Sequence, residues 1–432
     1  MQGTLEELNV TMEGVEHMRR LICVLAGSLL ISGCQGNPAV SKTDSTGKTD
    51  KPVNLVDERL VAANTRFGFK MFSALARKDA GKNVFVSAPS VAIALSMSYN
   101  GADSTTKEAI ATTLELQGMS LDDVNRANRE LKQMLESPDS AVALTIANSL
   151  WAREGLPFNS DFIQRNKDFY GARVTNLNFD DPSAAPTINS WVNDNTKGKI
   201  TRIVDAPIDP STILFLINAI YFKGAWTREF DKKKTVEGRF TSPTGGRMLP
   251  MMHQSDEYPY LETDKFQAVS LPYGKGRVSM YVFLPGEGSS LAEFQRDLDA
   301  DNWTRWMSQF QSREGEIALP RFKLEYEADL KPVLTTLGMG IAFDPEQANF
   351  GKLFPISALQ NVFISKVKHK TFVDVNEEGT EAAAVTSVEF GITSIKEGPP
   401  PFQFVVDRPF FFAIRDNETG SILFMGSIVD PR

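Results

Sequence analysis

From Leu60 to Ala76 the apolar side chains (Leu60, Val61, Phe67, Phe69, Met71, Phe72, Leu75) recur at helical spacing, and Lys78-Asp79-Ala80-Gly81 supplies the stop. A short extended piece follows at Val84 to Val86. Pro89-Ser90 then caps a second, almost wholly apolar helix through Met97, which ends near Asn100-Gly101. Further along, Thr212 to Phe222, Val278 to Leu284, Phe363 to Val375, Phe402 to Val406, Phe410 to Ile414 and Ile422 to Ile428 are rich in β-branched and aromatic residues and predict strands. Helices early and strands late predict a segregated α+β fold rather than alternating βαβ units. No internal repeat and no composition break divides residues 59–432, so a single domain is expected there.

Ahead of that domain the pattern is of another kind. Met18-Arg19-Arg20, an apolar run from Leu21 to Ile31 and Ser32-Gly33-Cys34 give the charged, apolar and small-residue order of a signal peptide. The apolar run is too short for a mature membrane-spanning helix. Its end, Leu30-Ile31-Ser32-Gly33-Cys34, resembles a bacterial lipobox, which implies residues 18–33 as leader and lipidation at Cys34; a plain secretory signal with an incidental cysteine is the alternative. Residues 1–17 are acidic and read as an upstream extension. Residues 34–58 are Ser, Thr, Lys, Asp, Gly and Pro with few apolar side chains, the composition of a flexible tether. An exported protein, lipid-anchored to a bacterial membrane or cell surface or released outside, is the expectation.

Charge and rare residues remove several classes of function. A net charge of −8 leaves no basic stripe for phosphates, so nucleic acid is not an expected partner. Both cysteines, Cys23 and Cys34, precede the domain, which therefore has no disulfide, thiolate nucleophile or cysteine metal cluster. His253 and His369 are too few and too far apart in sequence for a metal site or a catalytic triad. No metal and no cofactor are expected.

Several longer stretches resemble one family. Asn83-Val84-Phe85-Val86-Ser87-Ala88-Pro89-Ser90, Ile188-Asn189-Ser190-Trp191-Val192 with Thr196-Lys197-Gly198-Lys199-Ile200, Asn218-Ala219-Ile220-Tyr221-Phe222-Lys223-Gly224-Ala225-Trp226, Leu319-Pro320-Arg321-Phe322 and Phe424-Met425-Gly426 are similar to serpin segments. They stand in the family's order and cover nearly all of residues 59–432. The resemblance implies the serpin fold: a large central mixed β-sheet with further sheets, about nine helices, an exposed reactive-centre loop at about residues 377–401, and a metastable native state. It also implies an inhibitor rather than an enzyme, expected as a monomer.

The loop segment from Glu377 to Ser394 has a period of two. Thr380, Ala382, Ala384, Thr386, Val388, Phe390 and Ile392 form one set with no charge in it, while Glu381 and Glu389 fall in the other, the pattern of a strand with one buried face. Yet the segment follows a glycine and runs into Lys396-Glu397-Gly398-Pro399-Pro400-Pro401, which does not continue a central strand. Pattern alone allows an ordinary edge strand with a long exit loop. The resemblance instead matches Glu377, Gly379, Thr380, Glu381, Ala382, Ala383 and Ala384 to the hinge of inhibitory serpins, which trap serine and also cysteine endopeptidases as acyl-enzymes by inserting the cut loop into the main sheet. Family spacing from Gly379 implies a scissile bond at Thr393-Ser394, suited to an elastase-like pocket. Among alternative positions, Phe390 would suit a chymotrypsin- or subtilisin-like protease and Lys396 a trypsin-like one, and Ile392 is a further candidate. The fourteen residues from Thr380 to Thr393 extend to about 46 Å at ~3.3 Å each, long enough to carry a tethered protease across a domain.

The family also implies roles for a polar cluster beneath the sheet, Ser87, Ser90, Asn218 and His369, and for Trp226 at the sheet's upper opening. Without the resemblance, Ser90 reads as a helix cap, His369 as a satisfied strand histidine and Trp226 as core. A non-inhibitory serpin that binds a ligand or partner is the alternative within the fold. A hydrolase would have to use Ser87 or Ser90 with His369, and neither serine stands in a Gly-x-Ser-x-Gly turn.

Overall fold

Asp57 accepts a hydrogen bond from the Arg59 N–H at 2.9 Å and so starts helix α1 (Glu58–Lys78), whose face of Leu60, Phe67, Met71, Phe72 and Leu75 is buried. The structure is a computed structural model that describes residues 56–136, 139–354, 362–380 and 400–431, within a unit running from Asn54 to Arg432. Helix α2 (Ala88–Tyr99) is buried at every position, as expected of a helix that is apolar on all sides. Its N-cap is Ser87, with Pro89 in the first turn. Ser90 therefore lies inside the helix and does not cap it, because the proline starts the helix two residues earlier than the sequence pattern places it.

Nine α-helices and two β-sheets occur among the described residues, the α+β arrangement expected. The main sheet is built from β1 (Val142–Arg153), β2 (Arg173–Leu177), β3 (Leu214–Ala225), β4 (Phe322–Asp329), β5 (Lys366–Asn376) and the two-residue β6 (Gly379–Thr380), in the order β4-β5-β6-β3-β1-β2. The second sheet has nine strands and includes Val84–Val86, Ile422–Ile428, Phe410–Asp416 and Val278–Pro285 side by side. There Phe85 stacks on Phe412 and Phe424, with ring centroids 5.5 and 5.0 Å apart, and Phe410 and Phe411 are fully buried. β1 and β2 lie among the early helices, so strands and helices are less segregated along the chain than the pattern suggests.

Both faces of the main sheet are covered. On one side α2 packs against β3, and on the other Ile188 and Val192 of the helix Ala184–Asn195 pack with Trp151, Phe215, Ile217 and Ala219. Neighbouring strands in this sheet run partly parallel and partly antiparallel. β5 pairs with β3 in parallel over five residue pairs, Lys366 to Lys370 against Phe215 to Ala219. Above these pairs the two strands separate, and β6 lies between them, antiparallel to both.

Candidate functional site

β6 enters the main sheet as a wedge. Thr380 pairs with Val375 on one side and Gly224 on the other, and Gly379 pairs with Asn376 and Ala225. Gly379 has φ +144°, and a Cβ there would fall 2.1 Å from the Gly224 carbonyl oxygen, so only glycine fits. Thr380 is 1% exposed, and its hydroxyl lies 2.7 Å from the Tyr273 hydroxyl. Tyr273 stacks on Trp226 at 4.4 Å, and burial pushes its phenol far up, so it stays neutral.

A set of contacts fixes the turn that leads into β6. Trp226 donates its indole N–H to the Asn376 carbonyl at 2.9 Å and its backbone N–H to the Glu378 carbonyl at 3.0 Å. Phe230 donates its backbone N–H to the Glu377 carbonyl at 2.9 Å. The buried Glu377 carboxylate accepts from Arg321 Nε at 2.8 Å and from the Thr235 hydroxyl at 2.5 Å. Burial alone would raise its pKa, but Arg321 and Thr235 more than offset this and hold the carboxyl below the usual range. Lys232 forms an exposed ion pair with Glu378. Trp226, Glu377, Gly379 and Thr380 thus meet at one opening. Arg321, Thr235, Tyr273 and Lys232 are partners that sequence reasoning did not single out, although Arg321 stands inside one of the segments similar to serpins.

Lower in the sheet, at the closed β3–β5 pairing, lies the polar cluster. His369 on β5 and Asn218 on β3 are paired residues, and their side chains meet with Nδ1 of His369 2.9 Å from Oδ1 of Asn218. The Ser87 backbone N–H donates to Nε2 of the same ring at 3.2 Å. Nε2 must therefore be the acceptor, so the neutral ring carries its proton on Nδ1 and donates it to Asn218. Asn218 Nδ2 faces the Ser90 hydroxyl, the Ser90 carbonyl at 3.1 Å and Asn148 Oδ1 at 2.8 Å. Burial lowers the His369 pKa to about 3. Ser87 Oγ and Asn148 Nδ2 are buried and have no hydrogen-bond partner among the described residues.

This geometry does not build a hydrolase centre. Ser90 Oγ faces an amide nitrogen, both nitrogens of His369 are engaged, and His369, Ser87 and Ser90 are all 0% exposed. Among the described residues, no three His, Cys, Asp or Glu side chains converge as a metal site, and no helix is long and apolar enough to cross a membrane. Glu381, Ala382, Ala383, Ala384, Phe390, Ile392, Thr393, Ser394 and Lys396, like Cys34, lie outside the described residues.

The sequence model for Serpin (serine protease inhibitor) matches residues 62–431. An uncharacterized serpin-like protein of Thermococcus kodakarensis is 34% identical over 96% of this chain and all of its own length. The human leukocyte elastase inhibitor is 33% identical over 87% of this chain and all of its own length. Among solved structures, the thermophilic serpin tengpin in its native state aligns with a TM-score of 0.79 at 32% identity, covering 87% of this chain and 95% of that one. Human thyroxine-binding globulin complexed with thyroxine aligns with a TM-score of 0.78 at 28% identity, covering 87% and 100%. Matched over its whole folded region in sequence and in fold, the chain belongs to the serpin family.

Proposed function

We propose that this serpin is a suicide inhibitor of serine endopeptidases, and that cleavage at Thr393-Ser394 drives the loop into the main sheet between β3 and β5. The observation that carries this reading is the position of β6, already paired on both sides at the top of that opening. If its register continues, each further loop residue pairs one position lower on both strands. Thr386 then comes between His369 and Asn218, and Glu389 between Lys366 and Phe215. The five β3–β5 pairs would part to admit Val385 to Glu389.

The chemistry at the cluster suits that exchange. Thr386 belongs to the set that shares a face with Thr380, so its side chain points at the polar cluster. A hydroxyl can accept the His369 Nδ1 proton and donate to Asn218 Oδ1, replacing the bond that strand separation breaks. Ser87 Oγ and Asn148 Nδ2, which have no hydrogen-bond partner among the described residues, lie in the same cluster. On the other face Glu389 would oppose Lys366, an attractive cross-strand pair. The whole insertion gains backbone hydrogen bonds worth about 1 kcal/mol net each, on the order of 10 kcal/mol in total. Distorting one oxyanion-hole contact in the protease costs about 3 kcal/mol of transition-state stabilisation, so the acyl bond between the protease serine and the Thr393 carbonyl would persist.

An elastase-like protease is the target class that Thr393 suits, and the human leukocyte elastase inhibitor is among the relatives. Lipidation at Cys34 would place the inhibitor at a membrane surface. The test is to mix the full chain with elastase, run denaturing gels and weigh the released C-terminal fragment. A complex that survives denaturant, with a fragment beginning at Ser394, supports trapping at Thr393. Clean cleavage without a complex by elastase, trypsin, chymotrypsin and subtilisin would refute it and favour a binding role, of the kind thyroxine-binding globulin fills with thyroxine.

A further inference from the structure

A cavity of about 840 Å³ lies between the C-terminal end of α1, the helix Leu291–Arg296 and the edge of the second sheet at Arg408-Pro409. None of its lining residues belongs to the hinge or to the buried polar cluster, and neither family membership nor the proposed inhibition makes use of it. Its volume is that of a small-molecule site.

The lining has two chemical features. Arg77, Lys82, Arg296 and Arg408 line it, and among the described residues no acidic side chain does, although the chain carries 54 acidic against 46 basic residues. Its apolar surface comes from residues such as Leu291, Leu298, Pro285, Pro409 and Val429, with no aromatic ring among the described residues, although aromatic residues make up 10% of the chain. The cationic rim selects an anion, and a wall without rings offers an aliphatic body contact but no stacking. A second cavity, beside Lys366 and Lys368, mixes those lysines with Asp205 and Asp209 and has no such bias.

One of the four cations is fixed in place. Arg408 is one quarter exposed, and it donates Nε to the Pro285 carbonyl at 2.9 Å and Nη1 to Asp407 at 2.7 Å. Its Nη2 has no protein acceptor among the described residues. Arg77 forms no ion pair among them, while Lys82 and Arg296 have only loose partners, Asp79 at 3.7 Å and Glu293 at 4.0 Å. We propose that this cavity binds a medium-chain aliphatic carboxylate, with the carboxylate held by Arg408 and Arg77 and the acyl chain lying against Leu291, Leu298 and Pro285.

The test is calorimetric titration of the full chain with decanoate below its micelle threshold, beside decanol and decyltrimethylammonium. Saturable one-to-one binding of decanoate, at least tenfold tighter than either analogue, is expected. Octanoate should bind roughly tenfold more weakly than decanoate, since each buried methylene contributes a factor of about three to four. Arg408→Gln and Arg77→Gln should each weaken binding several-fold. Ala292→Trp, from an exposed lining position on the helix Leu291–Arg296, should abolish it by filling the mouth. Unchanged unfolding midpoints for the three variants would assign these losses to the cavity. Decanol binding as tightly as decanoate would overturn the charge assignment, and unchanged binding in Ala292→Trp would overturn the site.

Discussion

Replacing Thr380 with arginine would put a charge at the point where the loop enters the sheet. The native side chain is 1% exposed, its hydroxyl is 2.7 Å from that of Tyr273, and Tyr273 is itself stacked on Trp226 and in edge contact with Phe222. A guanidinium there would meet aromatic rings and one neutral phenol, while the neighbouring Glu377 carboxylate is already engaged by Arg321 and Thr235. Burying such a charge costs roughly 3–5 kcal/mol. Because the intact variant would keep the arginine, and with it this short strand, out of the sheet, the cut loop must meet that cost as it enters, and insertion slows by about 10²–10⁴-fold, since 1.4 kcal/mol is a factor of ten. Acylation at Thr393 should be unaffected, so hydrolysis of the acyl-enzyme would overtake trapping. The measurement is the stoichiometry of inhibition against elastase, with denaturing gels to separate complex from cleaved inhibitor. The wild type should need about one molecule per protease and Thr380→Arg more than ten, while Thr380→Ser, which keeps the hydroxyl, should stay near the wild-type value. Trapping by Thr380→Arg at the wild-type ratio would refute this account of the hinge.

Three other outcomes are expected. His369 has a folded-state pKa of about 3, below the ordinary 6.5, because burial disfavours its charged form. Its contribution is fully present above pH 6.5 and is lost as pH falls toward 3, at about 1.4 kcal/mol per unit. Between pH 7 and pH 5 the wild type should therefore lose about 2 kcal/mol more stability to urea than His369→Asn does, and parallel curves would contradict this. Thr386→Val should leave native stability unchanged but lower the melting temperature of the cleaved, inserted form, since His369 and Asn218 would each lose a partner worth about 1–3 kcal/mol. Lys366→Glu should slow trapping by setting a like charge opposite Glu389, and Lys366→Glu with Glu389→Lys should restore it; a double variant no better than the single one would exclude that register.

Much of the fold is legible because its strands carry local signals. Ile422–Ile428 is found where the pattern predicts it, and Val278–Pro285 and Phe402–Val405 differ by one residue. β1 escapes detection because it is buried along nearly its whole length: its neighbours are strands on both edges, one face looks toward α2, and Trp151 lies under the helix Ala184–Asn195. A strand covered on both faces loses the alternation that marks it in sequence. The contacts that hold β6 are not legible for a different reason. Thr235, Tyr273 and Arg321 reach Glu377 and Thr380 from distant parts of the chain, and no local spacing links them. Ser90 shows the opposite error, where local capping logic gave a role that tertiary packing against Asn218 replaces.

The five parallel pairs between β3 and β5 also limit how this protein can be improved. If the cut loop inserts as proposed, a denaturation midpoint for the intact chain reports the height of a barrier as well as a depth, since a more stable arrangement of the same strands then lies beyond it. Substitutions that tighten Phe215–Ala219 against Lys366–Lys370 would raise that midpoint and score as successes in a stability screen. The same substitutions would hold the sheet shut against its own loop. Selection for thermal tolerance alone would therefore drift toward a robust protein that proteases simply digest at the loop, and sequence variation at these ten positions should be constrained by speed of opening rather than by packing.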